Sequence, residues 1–389
     1  MKRIIFKQED LSNLPLPEQG YLSIGVSENG GLSTISPDGT ISAVGSGGGG
    51  SSLDPSNTSS GTGTGKTIAG GLNNSIDGQF TTLSGGYENS ILPGSGITLA
   101  GGVGNTASGS NTTLSGGSNN SVSGSYTTLS GGYKNNVSAE NSTLGGGVEN
   151  KIEGGSYQTI SGGYKNTHSG SYSYMNTIAG GIQNTTDGFA QTISGGYNNK
   201  TISGSYNTLA GGRGNNASGV ANVISGGRLN VTGENTDSNT ISGGYENSIS
   251  GYANFSVISG GRCNDMSCSS YASSMSGGYK NTLSGYNSYS NIVGGSQNGM
   301  TNSYASSISG GYRNAITNSG SSYSSYSAIV GGRNNLISGL TSSFVIGSNI
   351  TADRSNTTFV ENLTITSLPT SAPSQSGAIW NDGGTLKIV

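Results

Sequence analysis

Residues able to act as nucleophile, base or metal ligand are thinly spread along this chain. It has one histidine, His168, within "NTHSG", and two cysteines, Cys263 and Cys268. The acids Asp77, Glu88, Glu140, Glu149, Glu153 and Asp187 stand singly. Catalysis needs acids, bases and nucleophiles gathered in perturbed surroundings, and the abundant serines have no base to activate them. The glycine pairs are not phosphate loops, because no Lys-Ser/Thr ending and no helix pattern follow them. His168 has no second ligand at metal spacing. It reads as a polar residue tolerated in an inward slot beside a turn; three copies converging on a metal or anion is the sharper alternative. The cysteines allow a small local disulfide or two idle thiols, but no disulfide framework. The expectation is a protein that is not an enzyme, with no cofactor and no metal.

Asparagine and tyrosine, by contrast, recur on a strict period. Seventeen apolar-x-Gly-Gly units run from Gly70 to Gly331, mostly 15 to 17 residues apart. Four residues after the first glycine of each stands an asparagine: Asn74, Asn89, Asn105, Asn120, Asn135, Asn150, Asn166, Asn184, Asn199, Asn215, Asn230, Asn247, Asn264, Asn281, Asn298, Asn314 and Asn335. Asparagine tolerates the left-handed region and bonds its own turn, and stacked amides can form a ladder. Tyrosine follows the glycine pair at Tyr87, Tyr133, Tyr164, Tyr197, Tyr245, Tyr279 and Tyr312, and Arg213, Arg228, Arg262 and Arg333 take the same slot. Such a row suits glycan stacking or, the preferred reading, packing over turn backbone and sister chains.

The elements that must position these residues follow from the period. Of 389 residues, 71 are glycine and only 9% are charged, so amphipathic helices lack their charged faces and strong formers. A short, regular repeat marks a solenoid. Two strands of four or five residues and two turns fill one coil, with threonine outward, Ile or Leu inward, and the first glycine inward so that the opposite backbone comes close. A second inward residue follows each asparagine by two, as at Ile76, Val122, Val137, Ile152, Ile249, Leu283, Ile316 and Ile337. The fold class is therefore all-β: a parallel β-solenoid of about 17–18 coils, the last a worn copy near Gly347. So thin a roll buries about two aliphatic side chains per coil, so further burial against sister chains, simplest as a homotrimer, is expected.

The pattern "TISGGYxNxISGSY" resembles the YadA-like head repeat of trimeric autotransporter adhesins, over about Thr67 to Asn349. That resemblance implies a left-handed β-roll with three chains side by side. It identifies a fold more than a function, because such heads bind varied targets.

The expected domains are an N-terminal β-meander attachment module (1–44), a Gly/Ser-rich linker (45–66), the roll (67–349) and a C-terminal strand and hairpin module (350–389), the hairpin turning at Asp382-Gly383. The termini, "LPLPEQGYLSIGV" and "SGAIWNDGGTLKIV", resemble the ends of fibre and structural proteins of viruses and tailed phages. The start "MKRIIFKQED" lacks a signal-peptide core, and no stretch approaches the ~20 apolar residues of a membrane span. A net charge of −3 without a basic stripe argues against nucleic acid. The reading is a structural fibre, spike or decoration protein on a virion surface, made in the host cytoplasm. Its partners would be other virion or capsid proteins, through a terminal module and by analogy the N-terminal one, and a host-surface glycan or protein. A bacterial adhesin head is one alternative. Another is an ice-binding solenoid, through the outward threonines Thr67, Thr82, Thr98, Thr113, Thr128, Thr143, Thr159, Thr177, Thr192, Thr208 and Thr240. Against it, the ladder decays toward the C-terminus and coil lengths vary.

Overall fold

The computed structural model describes residues 23–26, 32–35, 41–44, 54–267, 269–318 and 324–389, the first three segments as backbone. It divides into two units, Met1–Gly261 and Arg262–Val389. Each contains a parallel β-solenoid, and the described residues contain no helix.

In the first unit two parallel ladders climb coil by coil. The first pairs Thr67–Ile68 with Thr82–Leu83, then Thr98–Leu99, and onward to Val257–Ile258. Its thirteen described strands put Ile68, Leu83, Leu99 and their successors into the interior with at most 1% exposure. The second ladder begins at Thr58–Ser59, which pairs with Ser75–Ile76, and ends at Ser248–Ile249. Burying each Ile or Leu is worth about 1.5–3 kcal/mol.

Most strands are only two residues long, shorter than the four or five expected. Two corners per coil take up the rest. At each, one residue is left-handed, such as Lys134 (φ 54°) and Tyr126 (φ 57°). A single-residue parallel bridge beside many of these corners continues the stacking where a longer strand would not fit.

Three expectations change. The residues holding the left-handed corner are not the repeated asparagines but their predecessors, which include Glu88, Lys134, Gln183 and Leu229. Nor does the first glycine serve close approach. A Cβ at Gly131 would have no neighbour nearer than 3.7 Å, and glycine is needed there for its φ of 122°. At Gly132 (φ 98°) a Cβ would drive into the Gly147 carbonyl of the next coil and the Asn135 amide, so the close contact runs along the stack and not across it. Finally, the stretch read as linker already carries a coil: Asn57 donates to Gly71 O at 2.8 Å and accepts from Asn74 N at 2.8 Å. Residues 45–53 of that linker lie outside the described residues, as does most of the N-terminal module. Of that module the described backbone is a three-stranded antiparallel sheet, Ser23–Val26, Leu32–Ile35 and Ile41–Val44.

In the second unit the first ladder runs from Ser274–Met275 to Phe344–Ile346 and Thr358–Val360, and the second from Asp265–Met266 to Leu336–Ser338. Beyond them Ile379–Asp382 pairs antiparallel with Thr385–Ile388. The intervening turn is Gly383-Gly384, one residue further on than read from the sequence.

Candidate functional site

All seventeen repeat asparagines are buried, and they form the most uniform feature of both units. At Asn135, Nδ2 donates to Gly131 O (2.9 Å) in its own coil and to Gly147 O (2.8 Å) in the next, while Oδ1 accepts from Asn150 N (2.9 Å). The same three bonds recur at Asn215 in the first unit and at Asn298 in the second. Each amide satisfies the first-glycine carbonyl of its own turn, as buried backbone requires, and adds a second donor to a carbonyl such as Gly147 O that already accepts from Tyr133 N (3.0 Å).

The five tyrosines that follow glycine pairs in the first unit share one edge. In the first unit single-residue bridges link Leu72, Tyr87, Val103, Ser118, Tyr133, Val148, Tyr164, Ile182, Tyr197, Arg213, Arg228 and Tyr245 in turn. Tyr279 and Tyr312 occupy the same place in the second unit, bridged through Ser296. Tyr87, Tyr133, Tyr164 and Tyr197 are 38–42% exposed. A cation lies over most of these rings: Lys134 over Tyr133 (5.0 Å), Lys165 over Tyr164 (5.0 Å), Arg213 over Tyr197 (5.3 Å) and Arg313 over Tyr312 (4.9 Å). One face of each such ring is therefore covered.

Charge gathers beside this edge in an open groove of about 610 Å³ lined by Lys134, Glu149, Lys151, Glu153, Lys165 and Thr167. Lys165 pairs with Glu149 (3.3 Å) and Lys151 with Glu153 (3.7 Å). The Tyr164 phenol, then Glu149, hold the Lys165 ammonium above the usual lysine range. Three lysines against two glutamates leave the groove one positive charge in excess, and exposed pairs of this kind add little stability.

His168 is fully buried in the second ladder, between Ile152 and Thr186. Nε2 lies 2.9 Å from Thr159 O, and Nδ1 meets the Thr186 hydroxyl. A carbonyl only accepts, so Nε2 carries the proton and Nδ1 accepts from threonine. Burial pushes the imidazole down to about 4. Both ring nitrogens are engaged inside their own chain, so the alternative of three copies converging through this residue is withdrawn. The inward column around it is polar: Thr186, Thr201 and Thr232 take the places where aliphatics were expected, and Thr201 Oγ1 has no partner. Cys263 is half-buried at a left-handed corner (φ 55°), while Cys268 lies outside the described residues.

A second buried column went unread in the sequence. It is formed by the residue immediately before each outward threonine or its equivalent: Thr112 and Thr127, then Gln158, Asn176, Gln191, Asn207, Asn222 and Asn239, then serines such as Ser290 and Ser306. Asn207 donates to Gly219 O (2.8 Å) and accepts from Asn222 N (2.9 Å), repeating the asparagine ladder at the opposite corner. The signal was present but mixed in residue type, so no one letter ran the length of the column.

The outward threonines keep register through the first unit. Thr67, Thr82, Thr98, Thr113, Thr128, Thr143, Thr159, Thr177, Thr192 and Thr208 are paired in unbroken succession. Varying coil length does not break this register, and the run of threonines ends where Thr208 pairs with Val223.

No family model matches the chain, and no curated protein matches it either. Among the described residues no helix is long and apolar enough to cross a membrane.

Proposed function

We propose that this chain is a structural fibre, spike or decoration protein of a virus or phage particle, working as a homotrimer and touching a host surface. One observation carries the reading. A half-exposed edge of Leu72, Tyr87, Val103, Tyr133, Val148, Tyr164, Ile182 and Tyr197, broken only by Ser118, climbs nine successive coils of the first unit. An apolar strip of that length marks an interaction surface, and a roll with so thin an interior gains most by covering it with sister chains. The repeat's likeness to YadA-like heads and the likeness of both termini to virion fibre ends support the same assignment. The groove acids Glu149 and Glu153 are paired with lysines and the one histidine is engaged in the interior, so the reading assigns no catalytic role, cofactor or metal. Host contact works by multivalency, many equal weak contacts adding up along the stack.

Sedimentation equilibrium of the purified chain is expected to give three copies of 38.8 kDa. Tyr133→Asp with Tyr164→Asp is expected to shift it toward monomer. Antibody labelling of purified particles is expected to place the chain on their surface. A monomer with a free edge, or labelling confined to a bacterial envelope, overturns the reading.

The unbroken threonine register favours one second reading, an ice-binding face on the first unit. Thermal hysteresis of the purified chain that is lost in Thr128→Lys, without particle labelling, would replace the fibre assignment.

A further inference from the structure

The second unit carries a feature that the first does not repeat. At its second corner two neighbouring columns alternate in opposite phase: Tyr271-Ala272, Ser288-Tyr289, Tyr304-Ala305 and Ser325-Tyr326. Each coil thus contributes one ring and one small residue, and the ring changes column at every coil. The four rings meet edge to face, with centroids 5.8, 5.8 and 5.7 Å apart and planes at 75–82°. Among the described residues of the first unit, the second corner shows one such contact, Phe189 with Tyr206.

This arrangement leaves ring surface outward. Tyr289, Tyr304 and Tyr326 are 55%, 39% and 59% exposed. Beside them lies a cleft of about 260 Å³ lined by Ser269, Tyr286, Ser288 and Tyr304. None of the described lining residues is charged. The volume falls just below the ~300–1,000 Å³ of drug-sized sites, which suits one ring-sized group. The tyrosine edge described above differs chemically, because there Lys and Arg lie over the rings. In the second unit rings brace rings, and the serine hydroxyls and phenols beside them supply both donors and acceptors.

We propose that this cleft binds a neutral glycan, one pyranose ring seated against Tyr304 and Tyr286 with its hydroxyls bonded to Ser269 and Ser288. A neutral sugar presents an apolar C–H face to an aromatic ring and polar hydroxyls at its rim, the two chemistries the cleft offers. An anion would find no cation among the described lining residues. Repetition of rings along the strip lets a longer saccharide continue past Tyr289 and Tyr326. The inference deepens the attachment reading and rests on it only for where the sugar is met. A particle-borne chain that binds no sugar overturns this inference alone, whereas a sugar-binding chain absent from particles overturns the other.

Saturation-transfer NMR on the full chain tests it. The probes are the methyl glycosides of glucose, galactose, mannose and N-acetylglucosamine, with sialyllactose and a polyproline peptide beside them. At least one neutral glycoside is expected to receive saturation at its ring C–H protons, with affinity in the millimolar range. Tyr304→Ala is expected to weaken it at least tenfold, and Tyr172→Ala, at a ring 86% exposed on the first unit, to leave it unchanged. Tyr286, 63% exposed, can be cut to alanine without disturbing the ring strip, so Tyr286→Ala decides the matter if Tyr304→Ala does not fold; a loss of about threefold or more is expected. The inference is overturned by silence from every neutral glycoside, by binding of sialyllactose or peptide alone, by equal binding in the variants, or by a change in subunit number without a change in sugar binding.

Discussion

The two halves of each coil obey different rules. From the second-corner residue to the next repeat asparagine the spacing is eight: Thr81 to Asn89, Thr127 to Asn135, Asn176 to Asn184, Ser327 to Asn335. From that asparagine to the following second corner it varies: seven from Asn135 to Ser142, ten from Asn166 to Asn176, thirteen from Asn314 to Ser327. The constant half holds the outward residue, most often threonine, the inward aliphatic (Ile or Leu, with Met275 and Val345 in the second unit), the glycine pair and the asparagine. Most of its positions are coupled to the next coil, by a ladder pair, a bridge or an amide. A slip of one residue there would misplace all of them together. The variable half keeps one inward residue in register and lets the rest bulge, so it tolerates extra length and polar substitutions such as His168, Thr186 and Thr201.

The sharpest way to break this contrast is a one-residue insertion in each half. Glycine inserted between Ser130 and Gly131 should unfold the surrounding coils and lower the urea midpoint by several kcal/mol equivalent, through lost ladder bonds and a displaced Asn135. The same insertion between Ser138 and Ala139 should cost about 1 kcal/mol or less, the scale of loop lengthening. Equal effects would dissolve the distinction.

Asn135→Ala should cost about 2–4 kcal/mol, because the Gly131 carbonyl and the Asn150 N–H lose buried partners at ~1–3 kcal/mol each, while Gly147 O keeps its bond from Tyr133 N. Its counterpart at the other corner, Thr127→Ala, loses one bond to Gly124 O and should cost about 1–2 kcal/mol by the same denaturation assay.

Acid should act through the variable half. With His168 at about 4 in the folded chain and ~6.5 unfolded, both states are neutral above pH 7. As pH falls from about 6.5 to 4 the unfolded chain binds a proton that the folded chain excludes. Stability should therefore drop by roughly 3 kcal/mol across that window, and His168→Val should remove the slope in unfolding curves taken at pH 4 and 7.

The smallest effect should be a gain. Thr201 Oγ1 is buried without a partner, so Thr201→Val should stabilise by about 1 kcal/mol, read as a higher midpoint.

Much of this contrast was visible as letters. Asn135 and Gly132 recur because each has a role that one residue type fills, and such roles leave a readable period. The column from Thr112 through Gln158 to Ser306 has an equally strict place, but hydroxyls and amides of different reach all fill it, so no one letter runs its length. The cleft beside Tyr304 was harder still. Its ring and serine partners come from coils about 17 residues apart, and its alternating pattern means nothing until the coils are stacked.

The sequence by itself determined that the chain winds as a β-solenoid, where each coil begins, and which residues face in along the first ladder, because a fixed period with one inward aliphatic admits little else. Only the tertiary structure decided which glycine meets backbone, which residue takes the left-handed corner, and how rings from separate coils meet. Those outcomes depend on what the next coil places opposite each atom, and that is a property of stacking, not of local residue preference.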